Sequence, residues 1–493
     1  MPGVQISTAV RTGPTSTTVR ESSQAFFVGI AQRGPTDTAT KINSMEEYTL
    51  VYGDYVANAY LHSTVEAFFE EGGSQCYVAR AINANATTGA KVLSDASPYG
   101  VIILNAIGAG VWAANLDVKV VAGSIANSMV LQLIYEDVLI FSTGNCTTNA
   151  QIIGKINNSI IASKYVVASA GNALGGLIVA SAQAAFTGGA DGTSPTAANC
   201  ITALDLFLDS YGAGAVACPE FTGAAASVGT VPAALITHAN TNNRIAILHT
   251  DDGLSAGDAQ DSAEYITGTV VDNLEHAAIY YPWVYVPSGT PGVNRLIPPD
   301  GYAAGARARA HNNVGQHQPG AGIISSARHI NGVETEIGKT TADTLDEAKV
   351  NVIRFINNSI RIYGARTLSN DTDNFRYINA QDVVNHVVVE AERALEDILF
   401  SVIDGRNRVF ADVEARLIGI LEPLRINGAL YESFDQFGNR IDYGYTVKCD
   451  PSLNPLANLA NGTVTARVGL RVSSVGDSIE VSIVKSNLTT SVV

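Results

Sequence analysis

A multidomain α/β fold is predicted by three observations: a covered, mainly parallel core sheet, an inserted mostly-β domain and an α+β C-terminal domain. First, near-continuous apolar runs alternate with amphipathic helical segments over residues 23–82 and 187–346, the rhythm of strands buried on both faces. Second, residues 83–186 break that rhythm with short alternating runs at hairpin spacing. Third, two long amphipathic segments in 347–474 precede further short strands.

Residues 1–22 alternate weakly through Val4 and Ile6, then turn polar at Thr12-Gly13-Pro14-Thr15, which predicts an extended arm and a linker. Phe26-Phe27-Val28-Gly29 reads as a buried strand, and Arg33-Gly34-Pro35 as a turn. Ser44 stands three residues before Glu47, the spacing of a capping box, so a short helix is expected there. Leu61, Val65, Phe68 and Phe69 share a helical face that Gly72-Gly73 ends, and Cys76–Arg80 is the next strand.

Within 83–186, strands are expected at 101–104, 118–121, 130–135 and 138–141. The core resumes after Thr187-Gly188-Gly189-Ala190-Asp191-Gly192. It continues with a helix around Ile201–Leu208, a strand at Val216-Ala217-Cys218, a helix over 231–241 and a strand at Arg244–Leu248. Ala277–Val286 reads as one further apolar strand. Residues 381–402 and about 410–426 predict helices, the second kinked or shortened at Pro423. Strands are expected at 441–449 and 463–472. Residues 475–493 form a second terminal arm, in which Ile479, Val481 and Ile483 share one face.

The chain has 493 residues, 46% hydrophobic and only 15% charged, which suits several folded domains. Its net charge of −16, with no basic run, argues against direct nucleic-acid binding. Five scattered cysteines without a CxxC predict free buried thiols, neither a disulfide framework nor a zinc site. Met1-Pro2-Gly3-Val4 lacks the pattern of a signal peptide. The apolar stretch 118–141 is interrupted by Lys119, Glu136 and Asp137, so no membrane insertion is expected.

Candidate chemistry is sparse. Gly253-Leu254-Ser255-Ala256-Gly257 matches the G-x-S-x-G of hydrolases, with Ser255 as nucleophile. The turn Thr250-Asp251-Asp252-Gly253 separates it from the preceding strand, so a surface loop is the preferred reading. His311, His317 and His329 lack the helical spacing and carboxylates of a zinc site. Gly188–Gly192 lacks the Lys-Ser/Thr of a phosphate-binding loop. No catalytic, cofactor or metal residue is therefore assigned.

An ordered set of motifs resembles the contractile phage tail sheath family. It comprises Phe27-Val28-Gly29, Arg33-Gly34-Pro35, Ser44 and Tyr52-Gly53, then Gly188–Gly192 with Ala203-Leu204. It continues with Pro298-Pro299-Asp300-Gly301 with Ala304-Gly305 and Arg309, then Asn351-Val352-Ile353, Gly364-Ala365-Arg366-Thr367-Leu368 and Tyr377-Ile378-Asn379. The resemblance covers 24–82 and 187–493; Asp346-Glu347-Ala348-Lys349 departs from it, and 83–186 matches nothing in the family.

The resemblance implies a non-enzymatic subunit without cofactor. It would polymerise with itself as stacked hexamers around a tail tube, meet baseplate and tail terminator proteins, and contract to drive the tube through an envelope. Assembly would take place in a bacterial cytoplasm, and the product would be part of a virion tail or of a phage-like injection particle. By the same resemblance, Val4, Ile6, Ile479, Val481 and Ile483 would exchange strands between subunits. Arg406, Arg408, Arg416 and Arg425 would face the tube, and the insertion would lie on the outer surface.

Overall fold

The computed structural model describes residues 22–477 except 98, 173, 222–229, 271 and 289–291. Its centre is an eight-stranded sheet. The order is Ser359–Tyr363, Val350–Ile356, Ala277–Tyr281, Ile245–His249, Ala215–Ala217, Ala25–Gly29, Cys76–Arg80, Thr40–Ile42. The six inner strands are parallel, and an antiparallel strand closes each edge. Ala25 and Phe27 point into one apolar core while Phe26 and Val28 point into the other, as the two-residue period of a strand requires.

One face carries helices Met45–Tyr52, Leu61–Glu70 and Asp300–Asn313. The other carries Ala197–Leu204, Thr230–Thr241, Ala256–Thr269 and Lys339–Glu347. Ser44 caps the first helix by accepting from the Glu47 amide, but the Glu47 carboxylate reaches Asn43 rather than Ser44.

Helix Asp300–Asn313 is buried on every side from Asp300 to His311. Its glycines make this possible: a Cβ at Gly301 would lie 2.1 Å from the Thr64 carbonyl oxygen, and one at Gly305 2.7 Å from Glu71 Cβ. Two arginines are buried with it. Arg307 holds Asp382 through both carboxylate oxygens and donates to the Ser22 carbonyl at 2.7 Å. Arg309 lies 3.3 Å from Glu71, whose other oxygen accepts the backbone amides of Arg328, His329 and Ile330.

Two expectations need correction. Residues 277–286 are two strands: Ala277–Tyr281 joins the large sheet, whereas Val284–Pro287 pairs with Asn294–Ile297 and Gly332–Val333. Pro282 between them has no N–H to give a ladder. The core does not stop at 346. Val350–Ile356 pairs with Ala277–Tyr281, and the Asn351 side chain bonds the Ile279 carbonyl together with the Arg366 amide and carbonyl. Helix Arg408–Ile426 reaches Ile426 as expected, so it is not shortened at Pro423.

Residues 90–185 form two antiparallel sheets of three and four strands around their own core, with Trp112, Leu131 and Leu133 inside. This region also holds a helix, Asn149–Asn157, that the sequence reading passed over; Ile152 and Ile156 are its buried positions. The C-terminal part pairs helices Ile378–Glu396 and Arg408–Ile426. Two small antiparallel sheets accompany them, Ser433–Phe434 with Arg440–Asp442 and Tyr445–Lys448 with Arg467–Leu470. All five cysteines are buried and free. Among the described residues no helix is long and apolar enough to cross a membrane.

Burial pulls the Asp382 carboxyl up, but Arg307 and His311 outweigh it and hold it below the ordinary carboxylate range. A depressed carboxyl contributes stability above its unfolded pKa of about 4, and loses it as pH falls through the lower folded value. Urea unfolding of Asp382→Ala should show a loss of about 3–5 kcal/mol, because Arg307 stays buried without its partner. The difference from wild type should shrink below about pH 4.

Candidate assembly surfaces

The candidate chemical residues fall into structural roles. Ser255 is the N-cap of helix Ala256–Thr269: its Oγ donates to Asp258 at 2.7 Å and accepts the Asp258 amide at 3.3 Å. The hydroxyl thus faces the carboxylate three residues on in a capping box, and among the described residues no histidine bonds it. His311 is interior, its Nδ1 3.2 Å from Ser22 Oγ and its Nε2 3.3 Å from Asp382. Among the described residues, no group of three His, Cys, Asp or Glu is arranged to hold a metal. The Gly188–Gly192 loop is a seam. Thr87 pairs with Ala190, Ala90 pairs with Thr187, and Asp191 accepts the Val111 amide at 3.0 Å.

Parallel α/β sheets usually bind ligands at the carboxyl end where strand order reverses. Here that point lies at Ala25–Gly29, flanked by Ala215–Ala217 and Cys76–Arg80. Glu220 fills it: its carboxylate accepts the amides of Ile30, Tyr60 and Leu61 at 3.0–3.1 Å, at the start of helix Leu61–Glu70. The protein's own carboxylate stands where an anionic ligand would sit, and burial pushes its pKa up. The sequence reading missed Glu220, because only the fold brings residue 220 to residues 30 and 60.

Val4, Ile6, Ile479, Val481 and Ile483 lie outside the described residues. The roots of both terminal segments are described. Ser22 is held by Arg307 and His311, and Asp477 by Tyr377, with Arg376 at 3.5 Å. Beside them, the two-stranded sheet Tyr445–Lys448/Arg467–Leu470 packs Tyr445, Val447, Val468 and Leu470 toward the paired helices. Among the described residues, each of its strands has one edge without a ladder partner.

The four arginines separate. Arg406 and Arg408 lie at the start of helix Arg408–Ile426, where Arg408 pairs with Asp404 at 2.8 Å on the surface. Arg416 reaches the Ala394 carbonyl and Asp397, bracing the two helices. Arg425 is taken up internally by Glu422 and Glu432, and its side chain is only 14% exposed, so it is not presented outward. The turn before Arg406 exposes Leu399, Phe400 and Val402; Phe400 is fully exposed with φ +64°, a left-handed conformation uncommon for a bulky residue. A second apolar patch comprises Phe434, Phe437 and Ile441.

No family model matches this sequence, and no curated relative matches it. Solved structures do match. The sheath of the PVC extracellular contractile injection system, in its contracted state, aligns with TM-score 0.56 and 16% identity, covering 99% of this chain and 98% of that one. The fold is that of contractile sheath proteins. A sheath tail protein from Listeria innocua gives TM-score 0.60 at 12% identity, over 88% of this chain and 89% of its own. One from Desulfitobacterium hafniense gives 0.54 at 14% identity, over 91% and 94%. The sheath fold therefore spans the core, the 83–186 region and the C-terminal part together.

Ser255→Ala should lower stability by about 1 kcal/mol, the ordinary worth of an N-cap. Thermal unfolding of the variant beside Asp258→Ala, which loses the other half of the box, checks this.

Proposed function

We propose that this chain is the structural subunit of a contractile tail sheath, acting without catalysis or cofactor. The observation that carries the reading is the agreement of fold with sheath proteins over nearly the whole of both chains. Subunits stack as hexameric rings around a tail tube, meet baseplate and terminator proteins at the ends, and contract to drive the tube through an envelope. The energy comes from an extended lattice relaxing to a better-packed one.

Strands carried by Val4 and Ile6, and by Ile479, Val481 and Ile483, add to open sheet edges of neighbouring copies. The sheet Tyr445–Lys448/Arg467–Leu470 suits such addition, having unpaired edges and a supported face. One donated strand with about five main-chain bonds, each worth about 0.5–1.5 kcal/mol net, contributes several kcal/mol before side-chain burial. Arg406 and Arg408, with Arg416 behind them and the apolar turn Leu399–Val402 beside them, form the tube contact; Arg425 is left out because it is spent internally.

A second reading, the sheath of a phage-like injection particle, draws on the injection-system sheaths that match over 98–99% of their length. The two differ in what the particle carries, not in the work of this subunit.

Negative-stain imaging of the full chain beside versions lacking residues 1–20 or 475–493 tests the proposal. Ring-built tubes from the intact chain and dispersed particles from both truncations are expected. Dispersed globular particles from all three, in every buffer tried, would remove the sheath reading.

A further inference from the structure

The two terminal segments are rooted around the first turns of one helix, one directly at its start and the other through two residues that its Asp382 holds, and the two anchors are of opposite character. Asp382 of helix Ile378–Glu396 holds Arg307 and lies beside His311, and these two hold Ser22. Asp382 is 2% exposed, Arg307 5% and Ser22 7%, so water and ions do not reach this root. At the start of the same helix, Tyr377 donates to the Asp477 carboxylate, and Asn379 donates to the Ser473 carbonyl at 3.2 Å. Arg376 and Arg366 lie 3.5 and 4.0 Å from Asp477. This second root is open: the side chains of Asp477 and Arg376 are 44% and 42% exposed. Arg366 also grips Asp346, so the body competes for the same guanidinium.

We propose that Asp477 is a salt-labile catch that sets where the C-terminal segment leaves the subunit, while the Ser22 root stays fixed. The inference rests on the sheath reading for its use: of the two links to neighbours, the C-terminal one gives and the N-terminal one holds. Its physics does not depend on that reading. Exposed ion pairs are weak and are screened by salt, whereas a buried arginine–carboxylate pair is not.

The test uses the full chain with a nitroxide at Gly476→Cys. That position has open space around it, and the native cysteines are buried, so labelling is selective. Raising NaCl from about 0.05 to about 1 M should increase the mobile-to-immobile ratio about three- to fivefold. With Asp477→Asn the label should be mobile already at low salt and indifferent to more. Asp477→Glu should restore the salt response, and Tyr377→Phe should weaken it. A label at Asp412→Cys, on the surface of helix Arg408–Ile426, should not respond. Equal mobility at both salts in wild type and Asp477→Asn would overturn the catch. Failure of the intact chain to form tubes would instead remove the sheath reading, and leave the spectroscopic result standing.

Discussion

Two arginines on one buried helix constrain the rest of this structure. A guanidinium taken out of water is costly unless a carboxylate meets it with good geometry. Arg309 therefore fixes Glu71, and through it the segment 328–330. Arg307 fixes Asp382, and through it the C-terminal helix, and holds the Ser22 carbonyl directly. The core helix, the end of helix Leu61–Glu70 and the C-terminal hairpin are thereby set against one another by charge, where apolar contact alone would allow sliding. A subunit that must pass load between neighbours gains from such pinned joints.

The large sheet was legible because its strands are nearly unbroken apolar runs, and the helices because their apolar residues recur on one face. Legibility failed where tertiary context decided. Pro282 sits inside an apolar run that looks continuous, yet the lost N–H sends the chain into another sheet. Val350–Ile353 is a short apolar run just after a polar helix, and its ladder with Ala277–Tyr281 and the bonds of Asn351, which tie it to the core, exist only in the fold. The helix Asn149–Asn157 buries just Ile152 and Ile156, too few positions for a periodic signal.

The site was less legible than the fold. Basic residues on a helix face look alike in sequence, but Glu422 and Glu432 remove Arg425 from the set. Glu220 and Asp477 carry no motif, since each gains its meaning from partners more than ninety residues away. Glu220 also occupies the crevice at which α/β sheets of this kind commonly host ligands. Its carboxylate closes the crevice and caps the adjacent helix in one move.

The seam at residues 87–90 and 187–190 has a wider consequence. The chain leaves the body and returns to it through two adjacent antiparallel bridges, so the distance between the two crossings does not depend on what lies between. The sheet registers of the body are thus indifferent to the size of the inserted domain. Arg33 reaches across to that domain, its guanidinium over the rings of Tyr165, Tyr135 and Trp112 at 4.3, 5.1 and 5.9 Å from their centres. A foreign module spliced at this seam would leave Arg33 facing water or an unpaired interior. A replacement domain would therefore have to meet two cations of the body: Arg33, which needs aromatics, and Arg80, which donates to the Ala109 carbonyl at 2.8 Å.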